Sequence, residues 1–214
     1  MLTHELLKNC AGLELCGDKR TLEALHEVLH DVNDRSPAIE DKEGMFLGLA
    51  YDVRKALEGQ RRIIAPPKLE KEVGSRFGVE VLWPVILLQS RMLRGALAFM
   101  DHSRRHQALT YALEDVIERA IDAQFGAKAA EVKERWLAID PFARDMDAVM
   151  DTRGALFSSW TKQLRQTHFL AMLDSMWPDY AGRYAGMSTA TRARFIDPKI
   201  FDQWRGREWP DPGW

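Results

Sequence analysis

The feature that most constrains the fold is the stretch from Val85 to Met100, which is apolar on most of its circumference when drawn as a helix. Such a helix normally lies at the centre of a core, with other elements packed around it. Proline is favoured at the first helical position, where its missing N–H would be unpaired anyway, so Pro84 marks the start of this helix. The longest apolar run, residues 79–88, is interrupted by Glu80 and Pro84 and falls short of a membrane span. The sequence therefore predicts a protein built around one buried helix.

Amphipathic helices are predicted on both sides of this central segment. Apolar residues recur there at helical spacing, and glycine, proline and asparagine separate the segments. The first helix is expected to begin after a cap at Asp18 or Thr21 and to end in the turn from Asn33 to Pro37. The remaining helices are predicted at 43–58, 107–125, 127–139, 147–176, 188–196 and 198–204. A kink is expected near Gly154 in the long segment 147–176.

The predicted fold class is mainly α, a multi-helix bundle with a small two-stranded β ribbon near the N-terminus. The ribbon would pair Leu13 to Leu15 with the short strand Arg61 to Ala65. Residues 68–76 are expected to form a charged connector. We predict a single globular domain over residues 1–214, with sub-layers 1–126 and 127–214. The tryptophan-rich C-terminal segment should pack onto the body, because a free tail would leave its indoles in water.

Composition excludes several classes of protein. Of the 214 residues, 46% are hydrophobic and 29% charged, and these are values of an ordinary globular protein. The net charge of −2 gives no overall attraction to nucleic acid or to an anionic membrane. Cys10 and Cys16 do not have the two-residue gap of a redox or zinc-knuckle pair. The first residues contain no basic segment leading into an apolar run, so we expect a cytoplasmic protein.

Three segments carry a family resemblance. They are the strand-turn-helix start GLELCGDKRTLEALHEVL, the helix end YDVRKALEGQRR and the helix start GVEVLWP. Their order and spacing resemble an uncharacterised bacterial family that is known only as a domain of unknown function. The resemblance implies no activity, ligand or catalytic residue. In that family pattern a histidine at His26 is ordinary, whereas Glu27 and His30 are not part of it.

The segment His26-Glu27-Val28-Leu29-His30 is the one recognisable chemical motif of the chain. Residues four apart lie on one face of a helix, so His26 and His30 can bind one metal ion. The glutamate between them can then act as general base toward a metal-bound water, as in zinc metalloproteases. The motif therefore predicts His26 and His30 as zinc ligands and Glu27 as the catalytic base of a hydrolase.

The surroundings of the motif support a second interpretation. The charged Asp31 follows His30, no substantial sheet precedes the helix, and no motif supplies a third ligand. Five residues could serve as a third ligand by residue type alone, namely Glu40, Glu43, Asp52, His102 and His106. The alternative interpretation is a half-exposed histidine pair that borders the core, and we favour it over a metal site.

A basic cluster follows the central helix and gives a further hypothesis. It consists of Arg91, Arg94, Arg104 and Arg105, accompanied by His102 and His106. Such side chains can bind the phosphates of RNA or DNA, or simply favour the carbonyl end of the helix dipole. The pair Arg20 and His26 is also similar to the R-x(4–6)-H signature of helical ribonucleases of the HEPN type. We favour solvated charge for both features, because few aromatic residues accompany the basic cluster and the Arg20–His26 motif is short and lies on the first helix.

The function that we predict is a protein-interaction or regulatory module without its own catalysis or cofactor. This module would present a helical surface or the tryptophan-rich tail to a protein partner. The alternatives are a zinc-dependent hydrolase that uses the HEVLH helix, and a nucleic-acid-binding or nuclease module that uses the basic cluster. The chain contains no Walker loop, no G-x-G-x-x-G and no nucleophile elbow.

Overall fold

The computed structural model describes residues 1–66 and 74–213, and these are mainly helical with one β-sheet. Most of the predicted charged connector at 68–76 lies outside the described residues, as does Trp214. The strands of the described part are β1 (Thr3–Leu6), β2 (Gly12–Asp18), β3 (Ile63–Ile64) and β4 (Arg76–Leu82). The α-helices are α1 (Lys19–Arg35), α2 (Gly48–Leu57), α3 (Trp83–Ala96), α4 (Arg104–Phe125), α5 (Ala129–Leu137), α6 (Met146–Ser159), α7 (Lys162–Asp174), α8 (Tyr180–Gly186), α9 (Thr189–Arg192) and α10 (Pro198–Asp202).

The prediction of a mainly α fold is confirmed, but the two-stranded ribbon is wrong. The strands form a four-stranded antiparallel sheet in the order β1-β2-β4-β3. Strand β2 pairs with β1 on one side and with β4 on the other, so that Leu13 lies opposite Val81 and Leu15 opposite Val79. Residues Ile63 and Ile64 therefore pair with β4 instead of β2, because both edges of β2 are already occupied.

Helix α1 leaves the sheet directly after β2. Its N-cap is Asp18, whose side chain accepts a hydrogen bond from the backbone N–H of Thr21 at 3.0 Å. The N-cap prediction is thus confirmed for Asp18, and the helix ends at Arg35, within the predicted turn from Asn33 to Pro37. The apolar stripe is fully buried, and its members are Leu22, Leu25, Leu29 and Val32. Burial of this stripe fixes the rotation of α1 about its own axis.

The predicted central helix is found as α3, which begins at Trp83 with Pro84 in its first turn. The Trp83 ring is fully buried and contacts Phe125 and Phe169, with ring centroids 5.4 and 6.4 Å away. The buried indole of Trp136 in α5 donates to the Leu87 carbonyl at 3.0 Å. These contacts join α3 to α4, α5 and α7, so α3 is the helix on which the other three pack.

The long helix expected over 147–176 is two helices, and its break lies at Trp160 and Thr161 instead of Gly154. Trp160 has an extended backbone, and the Thr161 side chain accepts from the Leu164 N–H as the N-cap of α7. Gly154 does not bend α6, and its lack of a side chain leaves room for the Trp209 ring. A Cβ there would lie 2.0 Å from the Trp209 ring.

The C-terminal segment packs onto the body as predicted, although Trp209 stays 37% exposed. Its ring lies against Gly154, and its Nε1 donates to the Asp151 carboxylate at 2.9 Å. Further along the tail, the Gly213 carbonyl accepts from the Asn9 side chain at 2.6 Å. The C-terminal segment is therefore attached to both α6 and the N-terminal turn.

A buried arginine joins the two ends of the chain. Arg165 in α7 is 1% exposed, and it donates to four backbone carbonyls at 2.9–3.3 Å. These carbonyls belong to Asn9 in the N-terminal turn, Phe157 and Ser158 at the end of α6, and Pro212 in the tail. Because carbonyls at a helix end lack partners within the helix, the guanidinium satisfies groups that burial would otherwise leave unpaired.

We expect Arg165→Lys to destabilise the protein by about 2–4 kcal/mol, because one ammonium cannot reach carbonyls that a planar guanidinium satisfies together. Urea unfolding followed by circular dichroism measures this loss. The matched control is Arg104→Lys at an exposed position, which should change the free energy of unfolding by less than about 0.5 kcal/mol. Equal effects of the two substitutions would contradict the role of Arg165.

Candidate functional site

The polar side chains of α1 point to two different neighbours. His26 and His30 face α2, where they line one groove with its residues. Glu27 and Asp31 instead contact α4, through Arg105 and His106 respectively. This division follows from the buried apolar stripe, because the side chains that flank it on either side meet different helices.

The groove between α1 and α2 has a volume of about 500 Å³. Within it the imidazole ring centroids of His26 and His30 are 4.4 Å apart, with their planes tilted by 49°. The spacing prediction that these two rings lie together is therefore met by the geometry. The other lining residues come from α2 and the turn before it, namely Glu43, Gly44, Leu47, Gly48, Tyr51 and Arg54.

His26 favours its neutral form. Burial lowers the pKa of His26 below its ordinary value, and the nearby His30 and Arg54 lower it further. Its Nε2 atom is buried and has no hydrogen-bond partner among the described residues. A neutral imidazole with an unpartnered nitrogen is the form that binds a metal ion, since the ligand must be deprotonated.

The third ligand required by a closed zinc site is not brought close to this pair. Across residues 1–66 and 74–213, the one set of three metal-ligating side chains within 4.8 Å of one another is Glu5, Glu14 and Cys16. Glu43 lines the histidine groove but does not complete such a set. Of the other candidates, Asp52 pairs with Arg61 at 2.8 Å. The groove thus brings two imidazoles together, and among the described residues no third ligand completes the set.

Glu27, the predicted catalytic base, is held by an ion pair outside the groove. Its carboxylate lies 2.6 Å from the Arg105 guanidinium of α4. One turn later, Asp31 lies 2.8 Å from Nε2 of His106 and 2.7 Å from Arg35. Burial alone would raise the pKa of Asp31, but the hydrogen bonds from His106 and Arg35 outweigh it and lower that pKa. These contacts attach α1 to the start of α4.

The predicted basic cluster is partly neutralised, because two of its four arginines form ion pairs with carboxylates. Arg94 forms a bidentate ion pair with Glu114 of α4, and its guanidinium lies 4.0 Å from the Tyr111 ring. Arg105 is bound to Glu27. Arg91 is half-buried, and Arg104 is exposed on the first turn of α4. Carboxylates therefore neutralise two of the four arginines of this cluster.

The carboxylate cluster on the sheet was not foreseen. Glu14 in β2 is 2% exposed, and one of its oxygens has no hydrogen-bond partner among the described residues. Its other oxygen forms an ion pair with Arg62, which also binds Glu5 at 2.7 Å. The Arg62 guanidinium thus binds both carboxylates that would otherwise be metal ligands. Burial raises the pKa of Glu14 in spite of this pairing.

A family model matches residues 2–212, and its description is a domain of unknown function, DUF6904. The chain belongs to the DUF6904 family. The resemblance to an uncharacterised family is thereby confirmed, while its bacterial origin stays a prediction. No curated protein and no solved structure matches the chain. Within the described ranges, the helices of this family member lack the length and apolar character that a membrane crossing needs.

We expect His26 to titrate below the ordinary histidine range and Arg54→Gln to move its titration upward, because one nearby positive charge is removed. Two-dimensional NMR of the imidazole resonances measures both. His26 has a lower pKa in the folded chain than in the unfolded chain, so the unfolded chain binds a proton at a higher pH. The free energy of unfolding should therefore decrease as the pH falls below the ordinary pKa of histidine. Arg119→Gln on α4 is the control and should leave His26 unchanged. An unshifted His26 in Arg54→Gln would contradict this description of the groove.

Proposed function

We propose that this DUF6904 protein is a binding or regulatory module without its own catalysis, and that its ligand position is the groove between α1 and α2. The observation that supports this proposal is the division of the HEVLH side chains. His26 and His30 line the groove, whereas Glu27 is ion-paired with Arg105 at 2.6 Å. The two imidazoles thus line the groove, while the residue that catalysis would need lies outside it in a surface ion pair.

The chemistry of the groove favours a transition-metal ion as the ligand. Imidazole nitrogen is a preferred ligand of Zn²⁺, Cu²⁺ and Ni²⁺. The two rings lie with their centroids 4.4 Å apart, and the Nε2 atom of His26 is buried without a partner. Zinc in proteins prefers four ligands, so two positions would be filled by water or by side chains of a partner protein. A metal bridge of this kind would make partner binding depend on the metal.

The two alternative functions have less support. A hydrolase would require Glu27 to leave Arg105 and reach a metal-bound water in the groove. A nucleic-acid-binding surface would require Arg94 and Arg105 to exchange their carboxylate partners for phosphates. In both cases existing ion pairs would have to break before the function began.

Calorimetric titration with Zn²⁺ tests the proposal. We expect saturable binding of one ion per chain, weakened by about tenfold or more in His30→Ala, because one of two imidazole ligands is lost. The control is His168→Ala, an exposed histidine of α7, which should bind as the unaltered protein does.

Two results would overturn the proposal in different ways. Equal binding by His30→Ala and His168→Ala would exclude the groove as the metal site. Zinc-dependent hydrolysis of an ester or peptide that is lost in Glu27→Gln would establish a hydrolase instead. Circular dichroism of each variant shows that it is folded.

A further inference from the structure

We propose that the groove between α6, α8 and α10 binds a small organic carboxylate through the guanidinium of Arg153. This groove is separate from the histidine groove, and the proposal does not rest on metal binding. Its volume is about 560 Å³. Arg153 lies on its wall and is 9% exposed.

Arg153 is a buried cation without a carboxylate partner among the described residues. Its Nη1 donates to the Thr152 hydroxyl at 2.9 Å, and its Nη2 donates to the Ser175 carbonyl at 3.0 Å. Both acceptors are neutral, and the Nε–H has no acceptor in the described part of the chain. Burying a charge without an opposite charge is costly, and burial lowers the pKa of Arg153 to about 10.

Arg165 shows what a purely structural buried arginine does in the same fold. Its guanidinium donates from all three nitrogens to four backbone carbonyls. Arg153 makes two hydrogen bonds from two nitrogens, so a guanidinium with five N–H groups retains unused donors. Such a fork matches the two oxygens of one carboxylate.

The walls of the groove suit a ligand with an apolar body. The Phe201 ring lies 3.7 Å from the guanidinium carbon of Arg153 and holds it in place from one side. Four further lining side chains are apolar, namely Ala148, Val149, Ala181 and Pro198. A site with one buried charge and several apolar walls fits an organic anion better than a bare inorganic ion.

The charges around the groove favour a monoanion over a phosphate dianion. Three acidic residues, Asp145, Asp151 and Asp202, line it together with Lys199 and Arg205. Of these, Asp202 lies 3.6 Å from Arg205, so that cation is already partly neutralised. Two negative charges on one ligand would be repelled by the three aspartates, whereas a single carboxylate is balanced by Arg153.

Arginine side-chain NMR tests the proposal on the full chain. The probes are sodium acetate, hexanoate and benzoate, with inorganic phosphate for comparison and sodium chloride as the salt control. We expect a saturable shift of one Nε–H resonance with hexanoate or benzoate, and that resonance should be missing in Arg153→Lys. Phosphate should bind at least about tenfold more weakly than the better organic probe.

A second variant keeps the test independent of the stability of Arg153→Lys. Ala181 is exposed on α8 and lines the groove, so Ala181→Leu should narrow it without disturbing the core. We expect this variant to bind the organic probe at least about tenfold more weakly. Ala130→Leu, at an exposed position of α5, is the matched control and should bind normally.

Three outcomes would overturn the proposal. The first is that none of the organic carboxylates shifts the Arg153 resonance in a saturable way. The second is equal binding by the Ala181→Leu and Ala130→Leu proteins, which would place the ligand elsewhere. The third is tighter binding of phosphate than of hexanoate and benzoate, which would exclude the carboxylate class.

Discussion

The burial of one face of α1 is the constraint on which the rest of the structure depends. Leu22, Leu25 and Leu29 are fully buried, and this fixes where every other side chain of the helix points. The flanking residues then meet α2 on one side and α4 on the other. The HEVLH segment thus forms helix contacts and half of a groove, and its glutamate is engaged by Arg105. The same constraint therefore directs Glu27 away from the groove that the two histidines line.

Local signals in the sequence predicted much of the helical structure. The cap at Asp18 and the proline at the start of α3 are found where the residue types indicate them. The sheet was not predicted correctly, because strand pairing depends on contacts between distant segments, such as that of β2 with β4. The helix break at Trp160 was missed because glycine is a more conspicuous helix breaker than a threonine cap.

For the candidate site, only the part that depends on helical spacing could be predicted. The proximity of His26 and His30 follows from their separation by one turn. The pair Glu27–Arg105 joins residues 78 positions apart, and no local pattern indicates it. No sequence pattern singles out Arg153 or Arg165, because the groups that contact them come from distant segments, the Pro212 carbonyl of the tail and the Phe201 ring of α10. Both buried charges are consequences of tertiary packing.

The most direct test of the account is a crystal structure determined in excess zinc, with the anomalous signal recorded at the zinc edge. We expect an anomalous peak for a zinc ion bound by His26 and His30, with the Glu27 carboxylate still paired to Arg105. A Glu27 side chain turned into the groove and hydrogen-bonded to a zinc-bound water would contradict it. That arrangement would show that the Glu27–Arg105 ion pair breaks and that Glu27 joins a catalytic site.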